Sequence, residues 1–143
     1  MTSTYVRSTD AEERWLLYDA TEHNLGRMAA SIARALQGKD RPTYQPNEKT
    51  GAHVVVINGS NPRMSGNKRD IKIYKHYTGY PGGLKEVAMA RVLESRPADA
   101  VTLAVRRMLP KNRLGHDLLR RLKVYAGEEH PHTAQAPVKV ASV

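Results

Sequence analysis

The side chains best equipped for chemistry in this sequence are cations with tyrosines set among them, and they fall into three groups. The first is Arg27, Arg34, Lys39, Arg41 and Tyr44, with Lys49 beyond. The second is Arg63, Lys68, Arg69, Lys72, Lys75 and His76, interleaved with Tyr74, Tyr77 and Tyr80. The third is Arg106, Arg107, Lys111, Arg113, Arg120, Arg121 and Lys123. Lys and Arg neutralise phosphates, giving an affinity that falls steeply with salt, while aromatic rings and guanidinium planes stack on unpaired bases. Any one cluster alone is equally well a solvated face, and Arg106 and Arg107 also suit the negative end of a helix. Three clusters together favour a polyanion. The whole-chain balance agrees: 23 Lys and Arg against 14 Asp and Glu in 143 residues, a net charge of +9 and a pI of about 10.0. Irregular RNA fits scattered contacts better than duplex DNA, since there is no helix-turn-helix, zinc-finger spacing or basic zipper.

Other chemistries find little support. There is no cysteine, which removes disulfides, thiolate metal sites and thiol nucleophiles and fits a reducing cytoplasm. Asp19, Glu86 and Asp117 share no spacing, and no serine sits in a G-x-S-x-G elbow, so no enzyme activity is expected. His130-Pro131-His132 lacks the further ligands zinc needs; solvated or RNA-packed histidines are expected there, and no metal or cofactor. Gly79-Tyr80-Pro81-Gly82-Gly83 is neither a Walker sequence nor a Rossmann fingerprint, and reads first as a turn before a helix. No apolar run is long enough to span a bilayer, and Met1 to Asp10 matches neither a secretory signal nor an Arg-rich transit peptide.

The elements that must position the cations follow from periodicity. Trp15-Leu16-Leu17-Tyr18 and His53-Val54-Val55-Val56-Ile57 are uninterrupted apolar runs, as in parallel strands covered on both faces. Between them Leu25, Met28, Ala29, Ile32 and Leu36 recur at helical spacing, with Asn24 as candidate N-cap and Gly38 as terminator. On that helix Arg27, Ser31 and Arg34 share the opposite, outer face. Ile71 to Tyr74 alternates like a half-exposed or edge strand. One helix is expected from Leu84 to Ser95, and a second, buried one from Pro97 through Met108. Asn112 caps a third, with Leu114, Leu118 and Leu122 on one side and Arg113, His116 and Arg120 on the other. Lys123 to Ala126 reads as a last short strand, and the segment after Gly127 as a tail lying extended on something else. Tyr18 and Tyr125, within strands, are expected in the core, whereas Tyr77 and Tyr80 are the better stacking candidates.

Taken in order, these segments resemble the bacterial ribosomal protein L-thirteen family, the thirteenth of the large-subunit series. The resemblance runs from Trp15 to Pro137 through Leu25-Gly26-Arg27-Met28-Ala29, Gly38-Lys39-Asp40-Arg41-Pro42-Thr43-Tyr44 and Ser65-Gly66-Asn67-Lys68. It continues through Tyr74-Lys75-His76-Tyr77-Thr78-Gly79-Tyr80-Pro81-Gly82-Gly83, Met108-Leu109-Pro110-Lys111-Asn112 and Leu122-Lys123-Val124-Tyr125-Ala126-Gly127. It implies an α/β protein with a small, mainly parallel four-stranded sheet flanked by helices in three α/β/α layers. It also implies a structural constituent of the large ribosomal subunit that binds its rRNA, enters assembly early and sits in cytoplasmic ribosomes. Carried over by position, it makes Arg27, Lys39, Arg41, Lys68, His76, Tyr77, Lys111 and Lys123 RNA-facing. Asn61-Pro62-Arg63-Met64 departs from the family pattern, which disfavours Arg63 as a contact.

The resulting expectation is an arm over 1–14, one rRNA-binding domain over 15–127 and a tail over 128–143. The RNA-binding residues are Arg27, Arg34, Lys39, Arg41, Tyr44, Lys68, Arg69, Lys72, Lys75, His76, Tyr77, Tyr80, Lys111, Arg113, Arg120, Arg121 and Lys123. Neighbouring large-subunit proteins are expected partners; a membrane and a small-molecule substrate are not. The competing classes are a regulator of translation acting off the ribosome and an enzyme on a nucleotide or phosphorylated small molecule.

Overall fold

The computed structural model describes residues 5–141. Trp15–Asp19 (β1) and His53–Ile57 (β2) pair in parallel over their full lengths, with Trp15 opposite His53 and Asp19 opposite Ile57. Leu122–Val124 (β5) adds to the far side of β2, and Val138–Lys139 (β6) adds to β1, giving a parallel sheet of order β5-β2-β1-β6. Helix Leu25–Gln37 (α1) makes the crossover between β1 and β2, as parallel strands require. The four-stranded parallel sheet with helices is as expected, and is consistent with a three-layer α/β/α arrangement.

Side chains alternate across a strand, so Leu16, Tyr18, Val54 and Val56 share one face with Leu122. They form a single core with Met28, Ile32 and Leu36 of α1, with Val101 and Val105 of Pro97–Arg106 (α4), and with Leu118 of Arg113–Arg120 (α5). Val54, Val55 and Val56 are fully buried, as a continuous β-branched run predicts. The α1 helix ends where Gly38 takes a left-handed φ of 79°, its amide returning to the Ala35 carbonyl. Gly51, leading into β2, passes so close to the end of α1 that a Cβ there would lie 1.9 Å from the Leu36 carbonyl oxygen. The helix end and the strand start are thereby fixed to each other.

Several local expectations change. The strand expected over Ile71 to Tyr74 lies further along the chain. Lys68–Ile71 is a single helical turn (α2), and the strand is Ile73–Tyr77 (β3). Leu84 to Ser95 is not one helix either: Leu84–Ala88 (β4) pairs antiparallel with β3, and only Met89–Ser95 (α3) is helical. The glycine segment Thr78 to Gly83 is therefore a hairpin loop, closed by the Thr78 amide on the Gly83 carbonyl, and does not open onto a helix. Leu122 lies on β5 instead of continuing α5. α4 is buried on one side only, through Ala100, Val101 and Val105. Asn112 caps α5, its Oδ1 accepting the Gly115 amide at 2.8 Å, whereas Asn24 makes no side-chain cap on α1.

The tail lies on the protein itself. Beyond β6, the Val140 amide donates to the Leu17 carbonyl at 2.9 Å. Upstream of β6, His132 packs on Trp15 with ring centroids 5.2 Å apart and shares a 2.8 Å hydrogen bond with the Tyr125 hydroxyl. Trp15 in turn stacks on His53 at 4.6 Å. His132 is thus held by protein groups and not left in solvent. The described part of the arm is also tied down: the Tyr5 hydroxyl and the Ser8 amide both donate to the Glu48 carboxylate. Residues 1–4 of the expected arm and 142–143 of the expected tail lie outside the described residues.

Candidate nucleic-acid interface

The first cationic surface is the outer side of α1 and the segment after it. Arg27, Arg34 and Lys39 are exposed, as the helical period requires for residues opposite the Met28–Ile32–Leu36 stripe. Ser31 departs from that face and turns inward, its hydroxyl 3.0 Å from the Tyr18 hydroxyl. Lys39 lies over the Tyr44 ring, 6.0 Å from its centroid. Arg41 is half-buried and donates to the Glu12 carbonyl at 2.7 Å, so part of its guanidinium braces the arm. Lys49 is engaged by Asp117 at 2.6 Å.

The second surface is the hairpin β3–β4 with α2 at its base. Lys68, Arg69, Lys72, Lys75, His76, Tyr77 and Tyr80 are all exposed, Tyr80 by 75% at the loop tip. Lys75 is partly neutralised by Glu86 across the hairpin at 2.9 Å, while His76 stands opposite Lys85, a cation absent from the expected set. Tyr74, the one buried residue of β3, anchors the hairpin to the body. Lys72 and Arg107 both lie over its ring, at 5.3 and 5.4 Å. Burial pushes the Tyr74 phenol up and Arg107 partly offsets it.

The third surface surrounds α5. Lys111, Arg113, Arg120 and Lys123 are exposed. Arg120 makes only a long ion pair with Asp117, 3.8 Å, whereas Arg121 turns inward and donates to the Gly51 carbonyl at 2.6 Å. Lys111 lines an open cleft of about 390 Å³ with Arg106, Arg107 and His116. Arg107 was legible as a member of the third cluster and as a helix-end cation; its place between two surfaces depends on where α4 stops relative to β3.

The carboxyl ends of the strands, where open α/β sheets usually hold ligands, are occupied by the protein's own clasp. Asp19 accepts from the Thr21 amide at 2.9 Å and hydroxyl at 2.7 Å, and from the Asn58 amide nitrogen at 3.2 Å. Burial alone would raise its pKa, but these hydrogen bonds outweigh it and hold the carboxyl below its usual value. The backbone of Arg63 closes the same end, its amide on the Ala20 carbonyl and its carbonyl on the Leu25 amide, both at 2.8 Å. Its side chain donates to the Glu22 carbonyl at 3.2 Å. Among the described residues no group of three or more His, Cys, Asp or Glu could hold a metal ion.

Residues 13–131 match the family model described as ribosomal protein L13. The chain belongs to the ribosomal protein L13 family. Its relatives include the large ribosomal subunit protein uL13 of Aquifex aeolicus, 48% identical over 132 residues, covering 92% of each chain. The uL13 of Francisella philomiragia is 46% identical over 132 residues, 92% of this chain and 93% of the relative. That of Caldanaerobacter subterraneus is 46% identical over 140 residues, 98% of each. The ribosomal protein L13 family comprises structural components of the large subunit, not enzymes. Among the described residues no helix is long and apolar enough to cross a membrane.

Proposed function

We propose that this chain acts in translation as a structural constituent of the large subunit of cytoplasmic ribosomes, binding large-subunit rRNA on its three cationic surfaces and entering assembly early. One observation carries the RNA contact: exposed cations project from α1, from the β3–β4 hairpin and from α5, three separate elements fixed to one core. A rigid body with phosphate contacts on several sides holds RNA segments in a set relation, whereas a single patch only adheres. Family membership supports the large-subunit assignment, and neighbouring subunit proteins are its expected partners.

Arg27, Arg34, Lys39, Lys68, Arg69, Lys72, Lys111, Arg113, Arg120 and Lys123 serve as phosphate contacts, with Lys75 and Arg41 contributing less because each already has a protein partner. Tyr44, Tyr77, Tyr80 and His76 supply stacking surfaces. Arg121 acts chiefly within the fold. The test is sedimentation of the tagged chain in low-salt lysate. Migration with the large subunit and its assembly precursors is expected; migration only as free monomer would overturn the proposal.

A further inference from the structure

A groove between α1, α2 and the end of α4 shares Lys68 and Lys72 with the second basic face but has an apolar interior not yet assigned. It has a volume of about 680 Å³, within the roughly 300–1,000 Å³ of clefts that enclose a small ligand. Its floor is apolar: Leu25, Met64, Ile71, Ala104 and Met108. Ile71 is 72% exposed and Met108 44%, so large apolar side chains face water on two different elements.

The rim is cationic without compensation. Lys68, Lys72 and Arg107 line the groove and no carboxylate does. Among the described residues none of the three makes a salt bridge; Lys68 reaches the Ser65 hydroxyl at 3.2 Å, and the other two rest on the Tyr74 ring. That ring holds both Lys72 and Arg107 near one point before any partner arrives, at 5.3 and 5.4 Å from its centroid. Asn24 and Asn67 also line the groove, and although each occupies an N-cap position neither side chain makes the capping bond. Their amides carry the donors and acceptors that read base edges.

We propose that this groove receives an unstacked nucleotide of the bound RNA, its base on Ile71 and Met108 and its phosphate against Lys68, Lys72 and Arg107. An apolar protein segment would cover the floor but leave three cations without a counter-charge, whereas a nucleotide satisfies both. The inference rests on the RNA-binding role proposed above and adds to it a site that takes one nucleotide out of its stack.

The test uses a large-subunit rRNA transcript with the full chain and with Ile71→Asp and Met108→Glu, both at exposed positions on separate elements. Each variant is first checked for an unchanged melting temperature. Base-specific chemical probing reads the groove, and hydroxyl-radical footprinting reads the backbone contacts. The wild-type chain is expected to protect an unpaired base that both variants expose, with affinity lowered about tenfold and the remaining backbone footprint kept. If base protection and affinity are unchanged in both variants, the groove holds no nucleotide. If the variants instead lose a neighbouring protein in reconstituted subunits while base protection persists, the occupant is a protein segment and the proposal fails. A wild-type chain with no footprint at low salt would remove the RNA-binding role itself, and the groove assignment with it.

Discussion

The Arg121 guanidinium reaches the Gly51 carbonyl at 2.6 Å, tying the end of α5 to the last residues before β2. Arg120, its neighbour, points outward and holds only a 3.8 Å ion pair. Two adjacent arginines of one basic run therefore have different work. Arg121→Ala is expected to lower unfolding free energy by about 1.5–3 kcal/mol, the range for removing a hydrogen bond from a charged group. Arg120→Ala should change stability by no more than about 0.5 kcal/mol and weaken RNA binding instead. Urea unfolding and RNA titration on both variants check the split; equal loss of stability would refute it.

Lys68 and Lys111 stand on different surfaces, both exposed and neither in an ion pair among the described residues. Replacing both with Ala is expected to reduce the slope of log affinity against log salt by about 0.7–0.9 for each phosphate left without its cation. Melting temperature should stay unchanged. An unaltered slope would remove both from the interface.

Val55 has β1 on one side and β5 on the other, and is fully buried. Val55→Asp places a carboxylate inside the sheet at a fully buried position, and Lys123, its partner across the ladder, is exposed at the β5 edge, so pairing with it would leave the burial cost in place. A cost above about 4 kcal/mol is expected, comparable to the whole stability of a small domain. Circular dichroism should show an unfolded or aggregating chain, and a soluble cooperative fold would contradict the strand assignment.

His53 lies between Trp15 and the Arg121–Lys123 side of the sheet. Burial, then Arg121 and Lys123, hold its imidazole below the ordinary value near 6.5, with Glu13 opposing them. The folded state thus binds this proton less readily than the unfolded chain does. Its full contribution to stability is present above about pH 6.5 and is lost as pH falls through that value toward the lower folded pKa. Melting temperature is expected to drop on acidification from pH 7 to 5, and His53→Gln to flatten that part of the curve. Identical profiles for both proteins would show that another group controls it.

The central sheet and α1 were legible because their residues carry the pattern alone: β-branched runs for β1 and β2, and a 3.6-residue stripe from Leu25 to Leu36. β4 was not. Leu84-Lys85-Glu86-Val87-Ala88 is composed largely of good helix formers, and only pairing with β3 makes it extended, a tertiary interaction overriding local propensity. β6 is two residues long, too short for any period. At the interface, which segments bear cations was readable, but not which cations are already engaged. Arg41 on Glu12, Arg121 on Gly51 and Arg107 over Tyr74 each depend on residues brought together by folding.

β1 meets β2 through five residue pairs but β6 through only two, and the segment that supplies β6 comes from beyond α5 and β5. So short a ladder can part without disturbing the core. Amide hydrogens at Lys139 and Val140 should therefore exchange with solvent by local opening, while those of Val54 to Val56 wait for the whole domain to unfold. Each such opening bares one edge of β1, the kind of edge on which a second chain can template itself. The two residues of β6 therefore cover an edge that would otherwise be open to such pairing.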